Sequence, residues 1–399
     1  SASNVLWDLT AQSDVDLGYV IGQPVVGRLN DGNYYAIFGN GYLSARGCPV
    51  LYLVSLTNGA VRRLSATSGN LGSGNSTSNC SSPNGLGRPS LFDDPNVSGS
   101  QPRSTDAIYV GDMLGQLWKF DVSSTNPASW AVATGNGTPL FKARNKCGGI
   151  QPITGLIEIG VPPPGQTEGA MIYFGTGRFL SADDRTDTTR QSFYGIWDPR
   201  STSRLNNPGD PVTSDTTCAT APATDLSDRG DFVEQTLGSL ASTTDTSGNA
   251  ISARSLSSNA LTTYSATGQK RLGWYIDLPV NGERMVAAPT LLAGRIVFPT
   301  LIPSLEVCDG GGESTVVAAD PFTGGKTSKN IFSTNLAVTY DSFKLDIGIV
   351  KNLIAIDSGT HVWLFAGGSS GQVKAIKTIA QQQTGGSIRG RTAWREVFQ

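Results

Sequence analysis

The sequence predicts an all-β fold of propeller type, and three observations carry that prediction. The apolar segments are short, rich in aromatic and β-branched residues, and bounded by Gly, Pro, Asn or Asp. One hairpin grammar recurs from the first part of the chain to the last. Glycine supplies 48 of 399 residues, well above the usual ~7%.

The strands follow in order. Tyr34-Tyr35-Ala36-Ile37-Phe38-Gly39 is the first, and Val50-Leu51-Tyr52-Leu53-Val54 the second. Residues 107–111 and 116–121 form a pair, and 171–175, 192–197 and 272–277 continue the series. Residues 294–298, 315–320 and 362–366 complete it. Helical periodicity shows only around residues 231–240.

The repeat is explicit. Ile108-Tyr109-Val110-Gly111-Asp112-Met113-Leu114-Gly115-Gln116-Leu117 matches Leu364-Phe365-Ala366-Gly367-Gly368-Ser369-Ser370-Gly371-Gln372-Val373 in pattern. Both read as strand, Gly, three residues, Gly-Gln, strand, a hairpin with two positions that need glycine. Ser55-Leu56-Thr57-Asn58-Gly59 and Asp320-Pro321-Phe322-Thr323-Gly324 are a second, looser turn family. Hairpins spread so widely argue for small sheets repeated radially, with a β-sandwich as the alternative. The expected organisation is one domain over 1–399, part of a longer exported chain, with polar insertions at about 65–84 and 201–269.

Composition excludes several function classes. Formal net charge is −2 and charged residues make up 16%, with no Lys/Arg cluster, so no nucleic-acid partner is expected. No apolar run reaches the ~18 residues of a membrane span, so no membrane insertion is expected. His361 is the single histidine, which excludes a zinc site of several imidazoles and leaves one ready base near neutral pH. Gly367-Gly368-Ser369-Ser370-Gly371 has the spacing of an esterase elbow. It reads instead as a hairpin turn, because its repeat partner lacks serine and the chain continues as a strand. No enzymatic activity is expected.

Five cysteines lie far apart in a Ser/Thr-rich chain, which fits an oxidising compartment. Cys48 and Cys80 flank a strand pair and the first insertion, where a disulfide would pin it. Cys218 and Cys308 can pair across the second, and free thiols are the competing reading. Arg229-Gly230-Asp231, an integrin-type tripeptide in the second insertion, is the candidate partner-binding motif. Chance occurrence in a glycine-rich chain is its competing explanation.

Several strings, in order, resemble the C-terminal domain of the PilY/PilC family of type IV pilus-associated adhesins. They are Asp16-Leu17-Gly18-Tyr19-Val20-Ile21-Gly22-Gln23-Pro24, Phe38-Gly39-Asn40-Gly41-Tyr42, Asn84-Gly85-Leu86 and the segment 109–121. Pro139-Leu140-Phe141, Gln151-Pro152-Ile153-Thr154, Phe174-Gly175-Thr176-Gly177-Arg178-Phe179-Leu180, Phe193-Tyr194-Gly195, Gly273-Trp274-Tyr275 and Gly282-Glu283-Arg284 follow. The resemblance implies a modified seven-bladed β-propeller with long loop insertions, carried at the pilus tip or outer cell surface. It implies a role in attachment to host cells or abiotic surfaces and in pilus biogenesis and retraction, with minor pilins as partners.

It also implies an Asp-rich calcium loop just before residues 107–111. Here Asp93, Asp94, Asn96 and Asp106 are the candidate ligands, but the alternating acids are gone and Pro95 interrupts. An ordinary polar turn competes with a weakened calcium site. Two other classes stay open: a propeller enzyme of the quinone-cofactor type, and a structural propeller that docks minor pilins without adhesion.

Overall fold

The computed structural model describes residues 8–10, 14–67, 80, 82–97, 99, 102–135, 137–203, 205, 229, 232–244, 250–261, 263–265, 272–304, 311–327, 332, 340–357 and 361–379. They are almost wholly strand, turn and loop, with short 3-10 turns at Pro127–Ser129 and Ala182–Arg185. None of their helices is long and apolar enough to cross a membrane. The chain divides into two compact units.

The first unit comprises Ser1–Ile157, Thr176–Arg178 and Arg200–Gly230. Its first sheet is an antiparallel meander of β1 (Val25–Arg28), β2 (Tyr34–Gly39), β3 (Val50–Ser55) and β4 (Val61–Ser65). Strand β3 is buried on both faces, which is why it reads as a continuous apolar run. Leu51 and Leu53 face a core with Ile37, Ile108, Val110, Trp118 and Phe120. Val50, Tyr52 and Val54 face another with Ala36, Phe38 and Cys48. The second sheet holds β5 (Ser90–Phe92), β6 (Ala107–Gly111), β7 (Gln116–Asp121) and β8 (Ala131–Val132), and β9 (Phe141–Lys142) pairs with the start of β7.

The second unit comprises Glu158–Gly175, Phe179–Pro199 and Asp231–Gln399. One sheet runs β10 (Glu158–Gly160), β11 (Ala170–Gly175), β12 (Ser192–Asp198), β16 (Gly273–Asp277), β13 (Phe232–Thr236), with only the last pair parallel. Another runs β14 (Ala241–Thr244), β15 (Ala250–Arg254), β20 (Ser342–Lys344), β19 (Gly312–Ala319), β18 (Arg295–Pro303), β17 (Thr290–Leu292). Strands β21 (Val350–Asp357), β22 (His361–Gly368) and β23 (Val373–Ile379) form the third.

The predicted strands are all present. The helical signal at 231–240 is not a helix but strand β13. Val233, Leu237 and Leu240 fall at helical spacing, but residues 232–236 run extended and pair with β16. The Gln235 amide donates to Asn259 O at 2.8 Å and Thr323 O at 2.9 Å, so a polar side chain takes an inward position that a hydrophobic pattern does not register. The polar stretch 201–269 likewise contains strands β13, β14 and β15 as well as loop.

Both copies of the repeat are hairpins, β6–β7 and β22–β23. Their second glycines share a left-handed backbone, φ +69° at Gly115 and +81° at Gly371. Their first glycines differ. A Cβ on Gly111 would lie 2.3 Å from Ile153 Cγ2, whereas one on Gly367 meets nothing within 4 Å.

Candidate functional site

The strings that carry the family resemblance in the first unit lie side by side. Gly18 N donates to Asn40 O at 2.8 Å, and Tyr19 and Tyr42 exchange main-chain hydrogen bonds at 2.7 and 3.2 Å. Gly41 N donates to Leu86 O at 3.1 Å, Gly87 N to Gly111 O at 3.0 Å, and Ile153 N to Asp112 O at 2.9 Å. Gly177 N then donates to Pro152 O at 2.7 Å. Each segment is handed to the next by backbone pairing, so residues from 18 to 177 form one ladder of loops.

Three buried side chains lock it. Asn40 Nδ2 donates to Asp16 O and Cys48 O, while its Oδ1 accepts from Val50 N and Leu86 N. Asn84 Oδ1 accepts from Met113 N, and its Nδ2 donates to Asp112 Oδ2 at 2.8 Å. Asp112, fully buried, also accepts from Trp118 Nε1 at 2.7 Å, Gln116 Nε2 at 3.0 Å, and the backbone N–H of Leu114 and Gln116. Burial raises its carboxyl above the usual range, and these donors oppose that by favouring the anion. The chain closes too tightly here for side chains. A Cβ on Gly41 would lie 2.1 Å from Tyr19 O, and one on Gly85 1.9 Å from Gly41 O.

The ladder presents bare apolar side chains at its outer rung. Tyr19 is 69% exposed, Ile21 64% and Leu43 78%. Leu43 sits at φ +60°, a conformation rare for a branched side chain. A disulfide joins Cys48 to Cys80, with Cα atoms 5.3 Å apart, on the chain leaving this rung. Cys147 is also disulfide-bonded; Cys218 and Cys308, which the sequence allows to pair, lie outside the described residues.

The remaining candidates separate. Asp94, Asn96 and Asp106 do gather, but around protein donors. Asp94 Oδ1 accepts from Asn96 N at 3.0 Å, and Arg200 Nε lies 3.1 Å from Asp94 Oδ2. Asp106 accepts from Asp94 N at 2.8 Å and from Asn30 Nδ2 at 3.1 Å. Burial pushes the Asp106 carboxyl up to about 6, and the neighbouring Asp93 and Asp94 add to it. Among the described residues no three His, Cys, Asp or Glu side chains group to hold a metal ion. A guanidinium already stands against Asp94 Oδ2, and its positive charge opposes a second cation there, so this arrangement does not fit the ion.

Arg229 is not displayed. It is 5% exposed, and its Nη2 donates to Gln151 Oε1 at 3.0 Å, which removes it from the surface an integrin-type motif requires. Gly230 and Asp231 lie outside the described residues. Ser369 and Ser370 hold a turn: Ser369 Oγ accepts from Ile349 N at 2.8 Å and Ser370 Oγ donates to Ile347 O at 2.9 Å. Trp118 and Trp274 are buried and serve packing. A Cβ on Gly195 or Gly324 would lie 2.3 or 2.2 Å from the Trp274 ring. Sequence reading places Asp112 only within the hairpin repeat and misses Asn40 and Asn84 as locks. Their signal is an Asn beside Gly in strings the family resemblance already contains.

Known proteins match over most of the chain. It is 34% identical over 334 residues to a type IV pilus biogenesis factor PilY1 homolog of Xylella fastidiosa, covering 81% of this chain and 20% of that protein. It is 30% identical over 423 residues to type IV pilus biogenesis factor PilY1 of Pseudomonas aeruginosa, covering 98% of this chain and 33% of that protein. The chain thus spans a fifth to a third of the length of these relatives. The crystal structure of the Pseudomonas aeruginosa PilY1 C-terminal domain superposes with a TM-score of 0.72 at 26% identity, covering 94% of this chain and 75% of that one. Residues 7–249 match the PilY1 beta-propeller domain, and the chain belongs to that family.

Proposed function

We propose that this chain is a non-enzymatic attachment domain of a type IV pilus biogenesis factor, carried at the pilus tip or outer cell surface. A seven-bladed propeller is the architecture this reading assigns to it, and minor pilins and a host-cell or abiotic surface are its partners. The observation that supports it is how the chain uses its polar groups. Asn40, Asn84 and Asp112 are buried and fully engaged in holding loops, while Tyr19, Ile21 and Leu43 stand exposed beside them. A rigid scaffold with bare apolar side chains suits contact better than turnover. The relatives' role in pilus biogenesis supports placing that contact in the pilus system.

The test uses the full-length gene in a strain lacking it. Restoring the whole gene is expected to restore surface pili and attachment. Restoring it without this domain is expected to lose attachment, pili or both. Full attachment and piliation without the domain would contradict the reading.

A further inference from the structure

We propose that Arg200 supplies the cation of the 93–106 loop, so that this chain closes with its own guanidinium a loop for which the family pattern implies calcium. Arg200 Nε lies 3.1 Å from Asp94 Oδ2, and its Nη1 donates to Asn96 O at 3.2 Å. A carboxylate oxygen and a backbone carbonyl in one turn are the donor types calcium takes. The guanidinium, planar and always charged, takes both at once.

The rest of the loop is built for N–H donors. Asp94 Oδ1 accepts from Asn96 N, Asp106 Oδ2 from Asp94 N, and Asp106 Oδ1 from Asn30 Nδ2. Every oxygen of these two carboxylates therefore already meets a hydrogen-bond donor. Calcium needs six to eight oxygens at about 2.3–2.6 Å, and Arg200 already holds Asp94 Oδ2 and Asn96 O, two that this turn would offer it. Pro95 stands between Asp94 and Asn96, where the family pattern alternates acids.

The backbone agrees. Arg200 sits at φ +63°, where arginine is rare and glycine is at ease. Its side-chain contacts reward that conformation. The sequence hides this, because Arg200 lies 106 positions from Asp94 and outside every acidic motif.

The experiment compares melting of wild type and Arg200→Gly, each in excess EDTA and in about 1 mM calcium chloride, where a site of micromolar affinity raises Tm. Glycine removes the guanidinium yet suits the backbone, so loss of stability reports the contacts. Wild type is expected to melt at one temperature in both buffers, and Arg200→Gly several degrees lower in both. A calcium-induced rise in wild type that Asp106→Asn abolishes would overturn the proposal. An Arg200→Gly variant as stable as wild type would also overturn it. A calcium shift that Asp106→Asn leaves intact arises outside this loop and upholds the assignment.

Discussion

Asn84 donates its side-chain amide to Asp112 Oδ2 at 2.8 Å, with both residues buried. Twenty-eight positions separate them, so the bond is tertiary and ties one loop to the next. Asp112 gathers further donors from Trp118, Gln116 and Leu114. Asp112→Asn puts an amide N–H among these donors and orphans at least one of them. A loss of roughly 3 kcal/mol follows from unmet buried donors and a lost charged acceptor. Denaturant melts of wild type and variant measure it.

The two copies of the repeat give a paired prediction. Gly111→Ala drives a methyl into Ile153 and is expected to cost about 1–3 kcal/mol. Gly367→Ala meets open space and is expected to stay within about 0.5 kcal/mol of wild type. Equal effects at the two positions would show that the copies share more than a turn.

The Cys48–Cys80 bond closes a separation of 32 residues. The chain-entropy account gives it roughly 3–4 kcal/mol. A Cys48→Ser/Cys80→Ser variant is expected to melt lower than wild type by that free energy, with attachment loss following only where the rung of Tyr19 and Leu43 loosens.

Stability is expected to fall as pH rises through the acid range in the second unit. Burial pushes Glu158 up to about 7 and Asp341 up to about 6. A folded pKa above the unfolded one means the native state holds the extra proton between about pH 4 and 7. The stabilisation is complete below the unfolded value and disappears as pH passes the folded one. Glu158→Gln is expected to flatten this slope, seen as a smaller difference in melting between pH 5 and pH 8.

The strands were legible because aromatic and β-branched runs such as Tyr34–Gly39 and Ala170–Gly175 coincide with buried sheet. Strands β13 to β15 were not, because Gln235, Ser and Thr fill them and local pattern reports polarity rather than burial. The hairpin turn that contains Asp112 was legible from Gly111 and Gly115. Its partners Asn84 and Trp118 were not, since each is fixed only once hairpins pack. The acidic residues near 93–106 were visible as a cluster, while Arg200, which sets their chemistry, arrives from a distant segment. Arg229 illustrates the converse. A recognisable tripeptide begins with a side chain the fold has turned inward onto Gln151.

The proposed attachment function rests on the loop ladder displaying Tyr19, Ile21 and Leu43. The direct measurement is surface attachment by bacteria whose full-length protein carries Tyr19→Ser, Ile21→Thr and Leu43→Asn, normalised to pili per cell. Asn tolerates the φ of +60° at Leu43, so the backbone is kept. Attachment is expected to fall several-fold at unchanged pilus number; attachment equal to wild type at equal piliation would contradict the proposed display.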